Sequence, residues 1–269
     1  MIEIKNIHKG FDGRTVIEDV SASLETGKCN LIIGASGSGK TVLMKCLVGL
    51  FEPDSGEVLY DGESITNMND DDRKQLRQQI GMLFQGSALF DSMTVEQNVM
   101  FPLDMFTKLT PKQKHEKANE VLAKVKLTGA NDKCPGEISG GMKKRVGIAR
   151  AIVLNPKFLF CDEPNSGLDP KTSLVIDKLI KEITIEYGMT TVVNTHDMNS
   201  VMEIGDKIIF MHQGRKEWEG TNKDIIFSKN EELNQFIFAS DFLQDAKDMR
   251  RLEAKGKISD DRDMDKLLK

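Results

Sequence analysis

A chain of 269 residues, 39% hydrophobic and 29% charged, can bury one large core, with or without an inserted lobe. Its net charge of −5 argues against broad, nonspecific binding to nucleic acid. No apolar run reaches the roughly 18 residues that cross a bilayer, and the opening MIEIKNIHKG turns polar too soon for a secretory signal, so any membrane role is expected to be peripheral.

Along the chain, residues 2–33 alternate short apolar runs with turn residues (FDGRTV, LETGK), as antiparallel strands do. Residues 28–33 then read as a buried strand feeding a glycine-rich loop, with a helix over 40–50. The turn EPDSG precedes a short strand, and a helix is expected to start near 69–72, where acidic residues suit a helix N-terminus. Residues 80–84 form the next strand candidate. From 94 to about 127 the pattern is helical, with Thr110 as N-cap and Pro111 in the first turn, and residues 140–154 continue as helix. Strands are then expected at 157–161, 190–194, 208–211 and 216–219, with a helix at 170–187 and a short one after 194. Strands alternating with helices imply an α/β fold around a mainly parallel sheet.

The cysteines Cys29, Cys46, Cys134 and Cys161 show no CxxC pairing or metal-ligand spacing, which suits a reducing cytosol. Cys46 and Cys161 sit in apolar context and are expected to be buried.

GASGSGKT, residues 34–41, fits the phosphate-binding pattern GxxxxGK[ST] between a predicted strand and a predicted helix. Across Gly34, Ala35, Ser36, Gly37, Ser38 and Gly39 the backbone N–H groups can turn inward around phosphates. Lys40 is placed to reach the β- and γ-phosphates, and Thr41 to hold Mg²⁺. Kinases, GTPases and DNA motors carry the same loop, so it leaves the class open. FLFCDEP, residues 158–164, is an apolar strand ending in two acids. Asp162 is placed to coordinate Mg²⁺, through water, and Glu163 to orient the attacking water.

ISGGMKKR, residues 138–145, resembles the signature of the ABC (ATP-binding cassette) family, usually written LSGGQ, with Met142 where glutamine is usual. The resemblance implies that Ser139, Gly140 and Gly141, at the positive end of a helix, face the γ-phosphate bound to an opposite subunit. Further motifs follow the family's order. Phe11 resembles the aromatic that stacks on adenine, with Val16 beside it; Gln85 in LFQGSALF resembles the Q-loop glutamine, a contact of Mg²⁺ and water; SGLD, residues 166–169, resembles the D-loop; His196 in NTHDM resembles the switch histidine. His8, His115 and His212 match nothing and are expected at the surface or in packing.

The resemblance covers roughly residues 1–225. It implies a phosphate-loop NTPase (RecA-like) core with an N-terminal antiparallel β subdomain and a helical subdomain inserted at about 86–155. Residues 226–269 would be a C-terminal extension. It further implies Mg²⁺ and ATP sandwiched in a head-to-tail pair of cassettes, whose closing and opening drive a membrane permease through the lobe near 85–106.

Within the family, MLFQGSALFDSMTVEQNVMFPL together with SGGM resembles the ATPase of Mla and Mce-associated transporters, which move phospholipids or other hydrophobic molecules between membranes. That implies an MlaE-like permease, an MCE-domain lipid-binding protein and a place on the cytoplasmic face of the inner membrane. An importer ATPase, for polar amino acids for example, is the nearest alternative. A non-transport ABC ATPase of DNA repair or translation fits less well: one cassette, an acidic balance, and motifs about a hundred residues apart without sustained heptads.

Beyond residue 224 the chain becomes helical and then charge-dense. Leu233, Phe236, Ile237, Phe242 and Leu243 fall at helical spacing, so residues 231–243 are expected to dock on a neighbour and the last fifteen or so to be disordered.

Overall fold

In chain order the protein begins with strands β1 (Ile2–Phe11), β2 (Arg14–Leu24) and β3 (Cys29–Ile33), then helix α1 (Lys40–Leu47). Strands β4 (Ser55–Tyr60) and β5 (Glu63–Ser64), helix α2 (Asp70–Gln78) and strand β6 (Ile80–Leu83) follow. Three helices come next: α3 (Val95–Phe106), α4 (Pro111–Lys124) and α5 (Gly140–Ile152). The chain then alternates β7 (Phe158–Asp162), α6 (Pro170–Tyr187), β8 (Thr190–Thr195) and α7 (Met198–Ile204). It closes with β9 (Lys207–His212), β10 (Arg215–Gly220) and α8 (Glu231–Ile237). The computed structural model describes residues 1–239 and residue 247.

Two sheets result. One is antiparallel, ordered β2-β1-β4-β5; the other is ordered β10-β9-β3-β8-β7-β6. In the second, β9, β3, β8, β7 and β6 pair in parallel and only β10 runs antiparallel, at the edge. This is the α/β arrangement expected from the alternation of strands and helices.

Burial on both faces explains why these runs are mostly apolar rather than apolar at every second residue, although buried polar residues such as Asn30, Thr191 and Asn194 interrupt them. Ile32, Phe158, Phe160, Val192, Ile209 and Met211 face one core, shared with β1, β2, β4 and α1. Their neighbours Leu31, Ile33, Leu159, Cys161, Val193 and Ile208 face the other, shared with helices α3 to α8. Cys29, Cys46 and Cys161 are buried free thiols, and burial pushes the Cys46 thiol up to about 11.

Local chemistry sets the helix ends. The Thr94 and Thr110 side chains each accept from the backbone three residues on, and Gln97 and Gln113 return the bond, so α3 and α4 both begin in a capping box. Asn69 caps α2 ahead of Asp70, Asp71 and Asp72. Helix α6 runs from an Asp169 cap and Pro170 to a left-handed Gly188, the usual asymmetry of helix ends. No helix among the described residues is long and apolar enough to cross a membrane.

One expectation changes. Leu233 and Ile237 of α8 are buried in the chain's own core, and Phe236 packs on Phe210 with ring centroids 5.5 Å apart. The apolar stripe on 231–237 therefore serves packing within the chain, because β9 presents an apolar face beside it. Phe242, Leu243 and the charge-dense tail lie outside the described residues. Since Leu233 is fully buried, Leu233→Ala should lower unfolding stability by roughly 2–4 kcal/mol, measured by urea denaturation; an unchanged midpoint would mean that α8 contributes nothing to the core.

Candidate functional site

Four strands of the parallel sheet deliver their following loops to one edge. Strand β3 runs into the 34–41 loop, β6 into Gln85, β7 into Asp162 and Glu163, and β8 into His196. There an open cleft of about 460 Å³ is lined by Val16, Ala35, Ser36, Gly37, Gly39, Lys40, Thr41, Val42, Gln85, Glu163, His196 and Phe236.

The glycine loop needs its glycines. Gly34, Gly37 and Gly39 have φ of 149°, 80° and 99°, conformations that a Cβ strains. A Cβ on Gly34 would also lie 2.2 Å from the Met211 carbonyl oxygen. Ala35, Ser36 and Gly37 are exposed to the cleft, whereas Gly34 and Ser38 are buried beneath it. The Ser38 hydroxyl is buried without a hydrogen-bond partner, a polar atom left over in a cradle of backbone. Lys40 curls back over the loop, donating to the Gly34 and Ala35 carbonyls at 2.7 and 3.0 Å. Burial lowers its pKa, opposed by the charges of Glu163 and Asp162.

Glu163 carries the most constrained backbone here. Its φ is 47°, in the left-handed region, uncommon for a non-glycine residue. Its N–H donates to the Asn194 carbonyl at 3.0 Å. Its carboxylate oxygen lies 2.8 Å from His196 Nδ1, so the two side chains touch directly. Asn194 Nδ2 donates to Asp162 at 3.1 Å, orienting that carboxylate. Gln85 Nε2 reaches Ser166 Oγ at 3.3 Å, which joins the loops of β6 and β7 and leaves the amide oxygen available.

Thr41, Gln85 and Asp162 offer hydroxyl, amide and carboxylate oxygens, hard donors that fit Mg²⁺. Among the described residues there is no cluster of three or more His, Cys, Asp or Glu able to hold a metal alone. Waters and phosphate oxygens would complete the shell of a cation here, as at many Mg²⁺ sites.

Two groups of expected residues stand apart from this cleft. Phe11 does not line it: the ring is half-exposed, edge-on to Phe51 at 5.3 Å, with Lys9 Nζ 5.3 Å from its centroid. Ser139, Gly140 and Gly141 open α5 away from it. Ser139 caps the helix by accepting from the Met142 N–H at 3.3 Å. Ser139 and Gly140 are exposed, while Gly141 is buried so tightly that a Cβ would meet Thr172 at 2.6 Å.

The motif reading missed residues that hold these loops. Asn165 donates to Asp177 Oδ1 and to Ser200 Oγ, and Ser200 donates to Asp177 Oδ2, each at 2.9 Å. This buried triad ties the loop after Glu163 to helices α6 and α7. An aspartate inside an apolar helical stripe was the available signal. Phe236, on the other wall, carries no motif.

A scan against protein-family models matches residues 17–166 to the ABC transporter family. Among curated proteins, the methionine import ATP-binding protein MetN of Carboxydothermus hydrogenoformans is 43% identical over 231 residues, 85% of this chain and 68% of that protein. The probable ribonucleotide transport ATP-binding protein mkl of Mycobacterium leprae is 36% identical over 236 residues, 88% of this chain and 68% of its own length. Among solved structures, a dimeric ATP-binding cassette in a post-hydrolysis state bound to ADP and Pi superposes with a TM-score of 0.75 at 31% identity. That match covers 82% of this chain and 99% of the other. The structure of cbiO1 from Clostridium perfringens, part of an ABC transporter complex, gives 0.78 at 30% identity over 85% of this chain and 91% of that one.

Burial pushes the Asp177 carboxyl up from 3.8 to about 6, its bonds to Ser200 and Asn165 oppose the shift, and the charges of Asp197 and Glu203 add to it. The folded state therefore holds a proton there that the unfolded chain has released, and stability falls as pH rises from about 4 through about 6. Asp177→Asn keeps the triad's shape but cannot ionise. Between about pH 4.5 and about pH 7.5 the stability difference should move in the variant's favour by on the order of 2 kcal/mol, read by urea denaturation. A difference independent of pH would mean that Asp177 does not titrate with folding.

Proposed function

The chain belongs to the ABC transporter family, and on that premise we propose how its residues divide the work of an ATPase that drives transport. The observation that carries the reading is the 2.8 Å contact of Glu163 with His196 on the wall of the cleft that also holds Lys40 and Thr41.

In this reading the backbone N–H groups of residues 34–41 cradle the phosphates of ATP, and the Lys40 ammonium leaves its loop carbonyls for the β- and γ-phosphates. Thr41, Gln85 and Asp162 would hold Mg²⁺, which neutralises phosphate charge when bound. Glu163 accepts a hydrogen bond and then a proton from the attacking water, whose oxygen bonds to the γ-phosphorus. The bond from that phosphorus to the bridging oxygen breaks, ADP keeps the electron pair and phosphate departs. His196, already bonded to Glu163, steadies that carboxylate and contacts the γ-phosphate. By resemblance, Val16 on the cleft wall and Phe11 beyond that wall would flank the adenine. Ser139, Gly140 and Gly141 complete the site of a second copy, since they lie outside their own cleft.

Residues 1–225 would form the cassette and about 86–155 the helical lobe that touches the permease. The ATPase would then sit peripherally on the cytoplasmic face of the inner membrane.

For the cargo, the resemblance of residues 82–103 and of SGGM to Mla and Mce-associated ATPases favours phospholipids or other hydrophobic molecules. An MlaE-like permease and an MCE-domain protein would be the partners. The similarity to MetN favours import of an amino acid instead. Copurification of the chain with its membrane partners, followed by lipid analysis, separates the two. Bound phospholipid with an MCE protein supports the first reading, and a soluble solute-binding protein supports the second.

Glu163→Gln should bind ATP but lose turnover by roughly 100-fold or more and accumulate as a closed dimer; near wild-type turnover would remove Glu163 as the base. Lys40→Ala should weaken ATP binding roughly 10-fold or more as well as slow turnover, because a charge-assisted phosphate contact is lost. Unchanged affinity in a nucleotide titration would contradict that role.

A further inference from the structure

Helix α5 sends one cation into the protein rather than out of it. Lys144 is only 4% exposed, although lysine is rarely buried without compensation. Its ammonium donates to the Gln85 carbonyl oxygen and, at 3.2 Å, to the Glu163 carbonyl oxygen. Both acceptors are main-chain groups in the loops that follow the adjacent strands β6 and β7, paired in parallel through Leu83 and Cys161. One side chain therefore bridges the Q-loop and the acid pair from a third element.

The bridge falls where the backbone most needs it. Glu163 has a φ of 47°, and such a conformation persists only when its surroundings hold it. Lys144 grips its carbonyl from one side, while the Asn194 carbonyl holds its N–H from the other. Farther along the same helix, Arg150 donates to the carbonyls of Ser87 and Ala88 at 2.7 Å each. Those two residues also have positive φ, 62° and 45°. Helix α5 thus pins the left-handed stretches of both loops by charge-assisted bonds, and of these two cations Lys144 is the one that reaches both loops.

Resting on the reading of Glu163 as the base, we propose that Lys144 is a positioning residue for hydrolysis. It holds the Glu163 and Gln85 backbones at a set separation and transmits displacement of the α5 N-terminus, Ser139–Gly141, to the base. Lys144 touches neither nucleotide nor water in this role. It acts through Glu163 and Gln85, so its loss should slow the chemical step and leave nucleotide affinity alone.

The test compares Lys144→Met, which keeps the length and removes the donor, with Lys144→Gln, which keeps a neutral N–H. In the full-length chain, Lys144→Met should lower kcat by roughly 10- to 100-fold while ATP affinity stays within about threefold, and Lys144→Gln should fall between it and wild type. In a Glu163→Gln background, Lys144→Met should add almost no further loss, because a positioning residue has nothing left to position. Wild-type kcat in Lys144→Met would overturn the proposal, as would equal losses in affinity and kcat, or a full multiplicative loss in the double variant. If Lys144→Met does not fold, Lys144→Gln must still lower kcat with KM unmoved, or the proposal fails. Normal turnover in Glu163→Gln alone would instead strike at the reading of the base, so the two failures are distinguishable.

Discussion

Parallel pairing of β3, β8, β7 and β6 is the constraint from which the rest follows. Parallel strands end on the same edge of a sheet, so the loops after them must converge, and ligands in open α/β sheets bind at that edge. The glycine loop, Gln85, the acid pair and His196 are spread over 163 residues of sequence, yet each lies within a few residues of a strand end. The antiparallel sheet and α1 cover one face and helices α3 to α8 the other, so the strands are buried on both sides. Polar residues inside these strands must then find partners within the protein, as Asn30 does at the Thr191 carbonyl and Thr191 at the Thr184 hydroxyl.

Convergence alone would leave four independent loops. A layer of buried polar side chains beneath the cleft joins them. Asn194 orients Asp162, Asp177 holds Asn165 and Ser200, and Lys144 and Arg150 cap the carbonyls of the loops after β6 and β7. Each group pays a desolvation penalty that only close, well-directed bonds offset, so such a layer favours one arrangement over nearby ones. Residues with left-handed backbones sit in these loops, and the cations of α5 donate to their carbonyls. Strain and restraint occur together.

The cleft has a wall that motifs do not describe. Phe236 of α8 reaches it while stacking on Phe210 of β9, the strand that also runs beside the glycine loop through Met211. The segment after β10 is therefore part of the cleft's surface as well as of the core. Phe11, matched to the adenine contact by resemblance, stands outside the cleft lining, against Phe51 and Lys9. An aromatic at the end of a strand can turn either way, and only its neighbours decide.

Local chemistry made much of the molecule legible from its residues. Thr110 with Pro111, Asn69 with three aspartates, and Asp169 with Pro170 announce helix starts through bonds that span three residues. The glycine loop announces itself because φ near 80–150° admits little else at those positions. The order of motifs then placed Gln85, Asp162, Glu163 and His196 around one site. The purposes of Lys144 and Asp177 were not legible: one stands in a run of basic residues, the other in an ordinary helical stripe. Lys144 finds its acceptors 59 and 19 residues away, and Asp177 finds Ser200 23 residues away. Sequence determined which groups could meet a phosphate, because those constraints are local. Tertiary structure decided which buried charges acquire partners, because burial and hydrogen bonding there are set by segments that meet only after folding.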